Sequence, residues 1–184
     1  MSIDYPSWAS DPKARAQLPA TGVTWSLALE YCKSLGGSLP TDEQWEYAAR
    51  GPDRRPNSWG DDRLDREQTH ALAGSNATPV AVKTSLQDQT PVLPDGHRLY
   101  DLIGNAQEWT AGLWREDRPT ADESWVESGK TSIRAIRGLP LASEPAMAQA
   151  DGAAYRDRLC ATGPCVDKGR ALRLYVGFRC AKSQ

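Results

Sequence analysis

Helical periodicity fills only two short stretches of this chain, and both come before residue 52. The remaining residues read as short strands and much loop. The first stretch covers about 26–35. Ala28, Tyr31, Cys32 and Leu35 fall at i, i+3, i+4 and i+7, which predicts one apolar face, with Thr24 as N-cap and Gly36-Gly37 as the stop. The second begins after Pro40. Thr41 and Gln44 form a capping-box pattern, Trp45, Ala48 and Ala49 make the predicted buried stripe, and Gly51 ends it. Beyond Gly51, residues 52–98 are rich in Pro, Gly, Asp, Asn and Thr, with one β-like stretch at 79–82. Residues 115–130 and 139–172 read as irregular, whereas 133–137 and 174–180 read as strands. The class is α+β, with no internal repeat. Loops this long in one domain are either functional or fastened by something.

Composition narrows the function. The chain has 184 residues, of which 39% are hydrophobic and 25% charged, as in an ordinary globular domain. Residues 1–20 read as a polar arm or linker and 21–184 as one domain. No apolar run approaches the ~20 residues of a membrane helix. A net charge of −2 leaves no basic surplus for nucleic acid. Two histidines, His70 and His97, are too few for a multi-imidazole metal site and read as loop or capping residues. The four cysteines, Cys32, Cys160, Cys165 and Cys180, contain no CxxC pair and allow three disulfide pairings. No signal-peptide pattern is visible, which makes the cytoplasm the default compartment and leaves the cell surface and exterior open. The sequon Asn76-Ala77-Thr78 matters only in a glycosylating compartment.

The segment from Tyr100 to Trp109 holds two carboxylates, Asp101 and Glu108, seven residues apart with Gly104-Asn105 between them. Two carboxylates plus carbonyl oxygens suit Ca²⁺, a hard cation that takes about six to eight oxygen ligands. A plain turn with solvated acids is the simpler reading of the spacing alone.

The runs VTWSLALEYCKSLGGSLPTDEQWEYAARG, LYDLIGNAQEWT, IRG and GFRCA, in that order, resemble the formylglycine-generating enzyme (sulfatase-modifying factor) family, a variant of the C-type lectin fold. The resemblance covers most of 21–181 and implies two helices on short, mostly antiparallel strands with a high loop content. The family's opening strands are missing or shortened here. The resemblance also implies a Ca²⁺ site, with side-chain oxygens from Asp101 and Glu108 and carbonyls from Gly104 and Ala106. A second family calcium site needs an Asn where this chain has Ala71 or Leu72, so its loss is expected. Cys32 and Cys180 match a structural disulfide of the family. By the chain-entropy model a crosslink spanning so much of the chain adds about 5 kcal/mol at most; two buried thiols in one core are the alternative.

The family's enzymes oxidise a substrate cysteine with two Cu(I)-binding cysteines spaced C-x4-C after an Arg-Gly-Gly-Ser segment. Soft thiolates suit that ion. Here the segment reads Arg137-Gly138-Leu139-Pro140, and the two catalytic positions fall on Ser143 and Ala148. Cys160 and Cys165 have the C-x4-C spacing about seventeen residues late. They can form a local disulfide, worth about 2 kcal/mol for so short a loop, or stay as two thiols, or make a displaced copper pair. The leading expectation is a non-catalytic module that binds a protein or small ligand through the 139–173 surface. Leu141, Ser143, Met147, Tyr155, Arg158 and Arg170 are its candidate contacts. The architecture resembles the variable proteins of diversity-generating retroelements. The rivals are a copper-dependent oxidoreductase using Cys160 and Cys165, or a subunit of a larger enzyme. Of the seven tryptophans, Trp25, Trp45, Trp59, Trp109 and Trp114 are expected in the core, while Trp8 and Trp125 read equally as contacts or core satellites.

Overall fold

The computed structural model describes residues 12–61, 78–113, 133–139, 156–160 (as backbone) and 176–182. A short helix α1 (Pro12–Arg15) precedes α2 (Trp25–Ser34) and α3 (Asp42–Arg50). Four strands follow: β1 (Gln107–Leu113), β2 (Ile133–Arg137), β3 (Arg156–Cys160) and β4 (Val176–Phe178). They form one sheet in the order β3-β2-β1-β4. The β1/β2 and β2/β3 pairs are antiparallel, and β1/β4 is parallel. This is the α+β class that the sequence predicts, with the mostly antiparallel pairing that the resemblance implies.

Both larger helices start where their caps demand. The Thr24 side chain accepts from Leu27 N–H at 3.3 Å. Thr41 and Gln44 complete the reciprocal capping box, with bonds of 3.1 and 2.9 Å. The face of α2 differs from the expected one. Trp25, Ala28, Leu29 and Cys32 are buried, whereas Tyr31 and Leu35 are more than half exposed. The buried set has the same i, i+3, i+4, i+7 spacing, begun at Trp25, so periodicity alone admits both faces. On α3, Trp45 and Ala49 are buried, as predicted, whereas Ala48 is only half-buried; Asp42 is buried beside them.

Two strands escape the sequence reading. β1 begins at the end of the 100–109 segment read as a turn and runs on to Leu113, and β3 lies inside the stretch read as irregular. Conversely, 79–82 is not a strand. Val80 gives its N–H to the Asn105 side chain and takes that side chain's N–H in return, at 2.9 and 3.1 Å, so an amide serves it where a neighbouring strand otherwise would.

The core has two parts. One packs Trp25, Ala28, Leu29, Cys32 and Leu39 from the α2 region against Trp109, Ala111, Ile136 and Val176 of the sheet. The other packs Trp45 and Ala49 of α3 against Leu102, Ile103 and Leu139, with half-buried Trp59 and Leu99 at its edge. Each buried indole N–H has an acceptor: Trp25 to the Thr110 carbonyl, Trp109 to the Val23 carbonyl, Trp45 to Glu108 Oε2. Cys32 and Cys180 form a disulfide across 148 residues, as the resemblance implied. Beside it Ser38 and Ala181 exchange backbone hydrogen bonds, and a Cβ on Gly37 would lie 2.5 Å from the Ala181 carbonyl, so glycine is required there. Trp8, Trp114, Trp125, His70 and the 71–74 loop of the second calcium position lie outside the described residues.

Candidate functional site

The 100–108 segment joins the second core cluster to β1. Asp101 and Asn105 both adopt left-handed backbone, at φ 55° and 62°. Around Asn105 the Ala106 N–H reaches back to the Gly104 carbonyl at 2.7 Å, a γ-turn. The loop keeps this shape because polar side chains hold it from several sides. Asp88 Oδ2 accepts the N–H groups of Ile103 and Gly104, each at 2.7 Å, and its Oδ1 accepts the Ser58 hydroxyl. The Asp101 carboxylate accepts Lys83 N–H at 2.7 Å. From the sheet side, Leu139 N–H bonds the Ile103 carbonyl at 2.7 Å, and Gly138, at φ 82°, lets that strand end approach. A Cβ on Gly138 would stand 3.1 Å from the Leu102 carbonyl. This accounts for the IRG run: Ile136 fills the core, Arg137 is fully buried facing Asp42 and Glu46, and Gly138 closes on the loop.

Charge at the base of the loop is balanced internally. Arg179, just after β4, donates from Nε to Glu108 Oε2 at 2.6 Å and from Nη2 to Glu108 Oε1. The same Nη2 reaches the carbonyls of Tyr100 and Asp101 at 3.1 and 3.3 Å. Burial works against the guanidinium's charge, but the Glu108 carboxylate outweighs it and raises its pKa. Burial pushes the Asp88 carboxyl up to about 6, even though Ser58 and the Gly104 and Ile103 amides pull it down. Asp88, Ser58 and Arg179 are the site residues that the sequence reading did not single out. Arg179 sits inside the recognisable GFRCA run, so a signal existed; Asp88 lies in an ordinary polar stretch and gave none.

The four residues expected to hold calcium thus lie on this one fastened loop, and Asp101, Ala106 and Glu108 line a common cleft with Arg179. Carboxylate and carbonyl oxygens are the hard donors calcium accepts. The pairing with Arg179 limits Glu108's share. Its Oε2 takes Trp45 and Arg179 and so has both acceptor positions filled, while Oε1 takes Arg179 and keeps one position. Glu108 fits a cation through one oxygen only. Among the described residues no three His, Cys, Asp or Glu side chains cluster as a metal site, so the backbone carbonyls must supply the balance.

Other expected site residues are scattered differently. Arg158 lies on strand β3 opposite Ala135, and not on a loop, so the 139–173 stretch is a strand flanked by two segments. Cys160 ends the same strand, opposite Ile133. Leu141, Ser143, Met147, Ala148, Tyr155, Cys165 and Arg170 lie outside the described residues. His97 is an exposed turn residue whose backbone N–H bonds Asp95 Oδ1 at 3.0 Å. No helix among the described residues is long and apolar enough to cross a membrane.

Comparison with known proteins agrees with this architecture. The family model for the sulfatase-modifying factor enzyme 1-like domain matches residues 5–184. The formylglycine-generating enzyme of Mus musculus is 32% identical over 124 residues, covering 64% of this chain and 33% of that protein. The inactive C-alpha-formylglycine-generating enzyme 2 of the same organism is 31% identical over 129 residues, covering 65% of this chain and 42% of that protein. The chain therefore spans less than half the length of these relatives. The structure of PvdO from Pseudomonas aeruginosa superposes with a TM-score of 0.57 at 20% identity, over 88% of this chain and 60% of that one. The chain belongs to the sulfatase-modifying factor enzyme 1-like domain family.

Proposed function

We propose that this domain is a non-catalytic member of its family, a calcium-stabilised scaffold that binds a protein or small ligand through the 139–173 surface. The reading rests on one feature of the sequence: counted forward from Arg137-Gly138, the positions that the resemblance assigns to the family's two copper-binding cysteines read Ser143 and Ala148. A hydroxyl and a methyl cannot supply the soft thiolates that Cu(I) needs. An inactive relative shows that the family contains members named for the loss of activity. A rigid frame supports a display role, in the manner of the variable proteins of diversity-generating retroelements: a disulfide, two core clusters and a loop fastened by buried polar bonds. Calcium would be held by Asp101, Gly104, Ala106 and Glu108, where it adds positive charge beside two carboxylates and stiffens the loop.

The test is a copper(I) titration of the reduced protein, followed by incubation with oxygen and a cysteine-bearing peptide and mass analysis of the peptide. The expected outcome is no stoichiometric copper and an unaltered cysteine. Stoichiometric copper that vanishes in a Cys160→Ser/Cys165→Ser variant, with conversion of the peptide cysteine, would overturn the reading in favour of a displaced thiol pair. For calcium, a raised melting temperature relative to chelator is expected, because a ligand held only by the folded state stabilises it. The same melting temperature with and without calcium would remove the metal from the account.

A further inference from the structure

A cleft of about 550 Å³ opens above the 100–108 loop, a size within the range of roughly 300–1,000 Å³ that small-molecule pockets occupy. One wall is the Leu18-Pro19 segment. It is pinned in place where Val82 N–H bonds the Gln17 carbonyl at 2.8 Å and Gly22 N–H bonds the Val176 carbonyl at 3.1 Å. Leu99 and Phe178 form apolar surface opposite. Phe178 is braced from behind by Tyr31, edge to face at 5.6 Å between ring centroids. The polar lining is asymmetric. Lys83, Arg98 and Arg179 face the carboxylates of Asp101 and Glu108 in the same cleft, so one positive charge is left over. Arg179 spends Nε and Nη2 on Glu108 and two carbonyls, while its Nη1 has no acceptor among the described residues, and its side chain is 24% exposed. The Lys83 ammonium likewise has no acceptor there; only its backbone N–H is engaged.

We propose that this cleft binds a small organic monocarboxylate with an aromatic or branched apolar body. The carboxylate meets Arg179 Nη1 and Lys83, and the apolar body lies between Leu18-Pro19 and Phe178. A planar guanidinium with one nitrogen to spare suits a carboxylate. A single uncompensated charge matches a monoanion better than a phosphate dianion. The site uses none of residues 139–173, so it stands apart from the proposed display surface; it shares its cleft with the candidate calcium ligands Asp101, Ala106 and Glu108, and the charge count holds for the calcium-free protein.

The experiment is amide NMR titration of the whole chain in chelator with phenylacetate, and with phenylacetamide as the neutral control. Saturable shifts at Leu99, Tyr100 and Phe178 are expected, with the acid favoured by roughly tenfold over the amide. Lys83→Glu, on an exposed turn, should weaken phenylacetate by roughly threefold or more, and Lys83→Gln should weaken it less, in the same direction. Equal binding of acid and amide would overturn the proposal. So would shifts centred away from the cleft, no shift at about 10 mM phenylacetate, a millimolar threshold for meaningful affinity, or unchanged affinity in both Lys83 variants.

Discussion

The two halves of this domain are fastened by different physics. Around α2 and β4 the chain is held by apolar burial and a covalent bond: Trp25, Leu29, Cys32 and Val176 share one cluster, and Cys32 is bonded to Cys180. Around 78–108 there is little regular structure before β1. That half anchors Leu102 and Ile103 in the α3 core cluster, and the rest of its backbone is held by side chains, from Asp88, Asn105 and Asp101, and by the Glu108–Arg179 pair. Apolar packing is distributed and tolerates exchange. A polar fastening depends on individual atoms, because a buried N–H left without an acceptor costs far more than the bond's net worth.

Substitutions should separate the halves. The largest effect is expected from Asp88→Ala, which leaves the Ile103 and Gly104 N–H groups and the Ser58 hydroxyl without their acceptor. At about 1–3 kcal/mol per buried group, the loss should exceed about 3 kcal/mol in urea unfolding. A loss below about 1 kcal/mol would mean that the loop is held by something else. Removing the disulfide with Cys32→Ser/Cys180→Ser should cost about 2–5 kcal/mol by the same measurement, and hydrogen exchange should rise first in α2 and the Ser38–Ala181 bridge. Thr41→Ala, which breaks the capping box of α3, should cost about 1 kcal/mol. Leu35→Lys, at the exposed C-cap of α2, should stay within about 0.5 kcal/mol; a larger loss would restore the helix face expected from periodicity.

Asp88 adds a pH dependence. Its folded pKa of about 6 lies above the ordinary value of 3.8, so the folded state binds this proton more tightly than the unfolded one. The contribution to stability is complete below about pH 3.8 and is lost as pH rises through about 6. In chelator, the Asp88→Asn variant should lack this component, so the difference in stability between wild type and variant should change between pH 4 and pH 7 (about one unit outside each pKa).

The sequence was legible where structure repeats or is punctuated. Thr24, Thr41 and Gln44 mark the helix starts, and the branched run at 133–137 marks β2. The rotation of α2 was not legible, because two overlapping apolar sets share one spacing, and Trp25 decides between them only once the sheet is present. β3 was hidden because Arg156-Asp157-Arg158 is charged, which suits an edge strand but reads as loop. The candidate calcium loop was visible as a motif, yet its fastening was not. Asp88 contacts residues fifteen and sixteen positions away, and no local pattern announces such a bond.

Calcium is expected to stiffen the polar half and to leave the apolar half unchanged. Hydrogen-exchange mass spectrometry with calcium and with chelator tests it directly. Slower exchange with calcium at residues 100–106 and unchanged exchange across α2 are expected. Equal exchange at 100–106 in both conditions, or protection centred on α2, would contradict it.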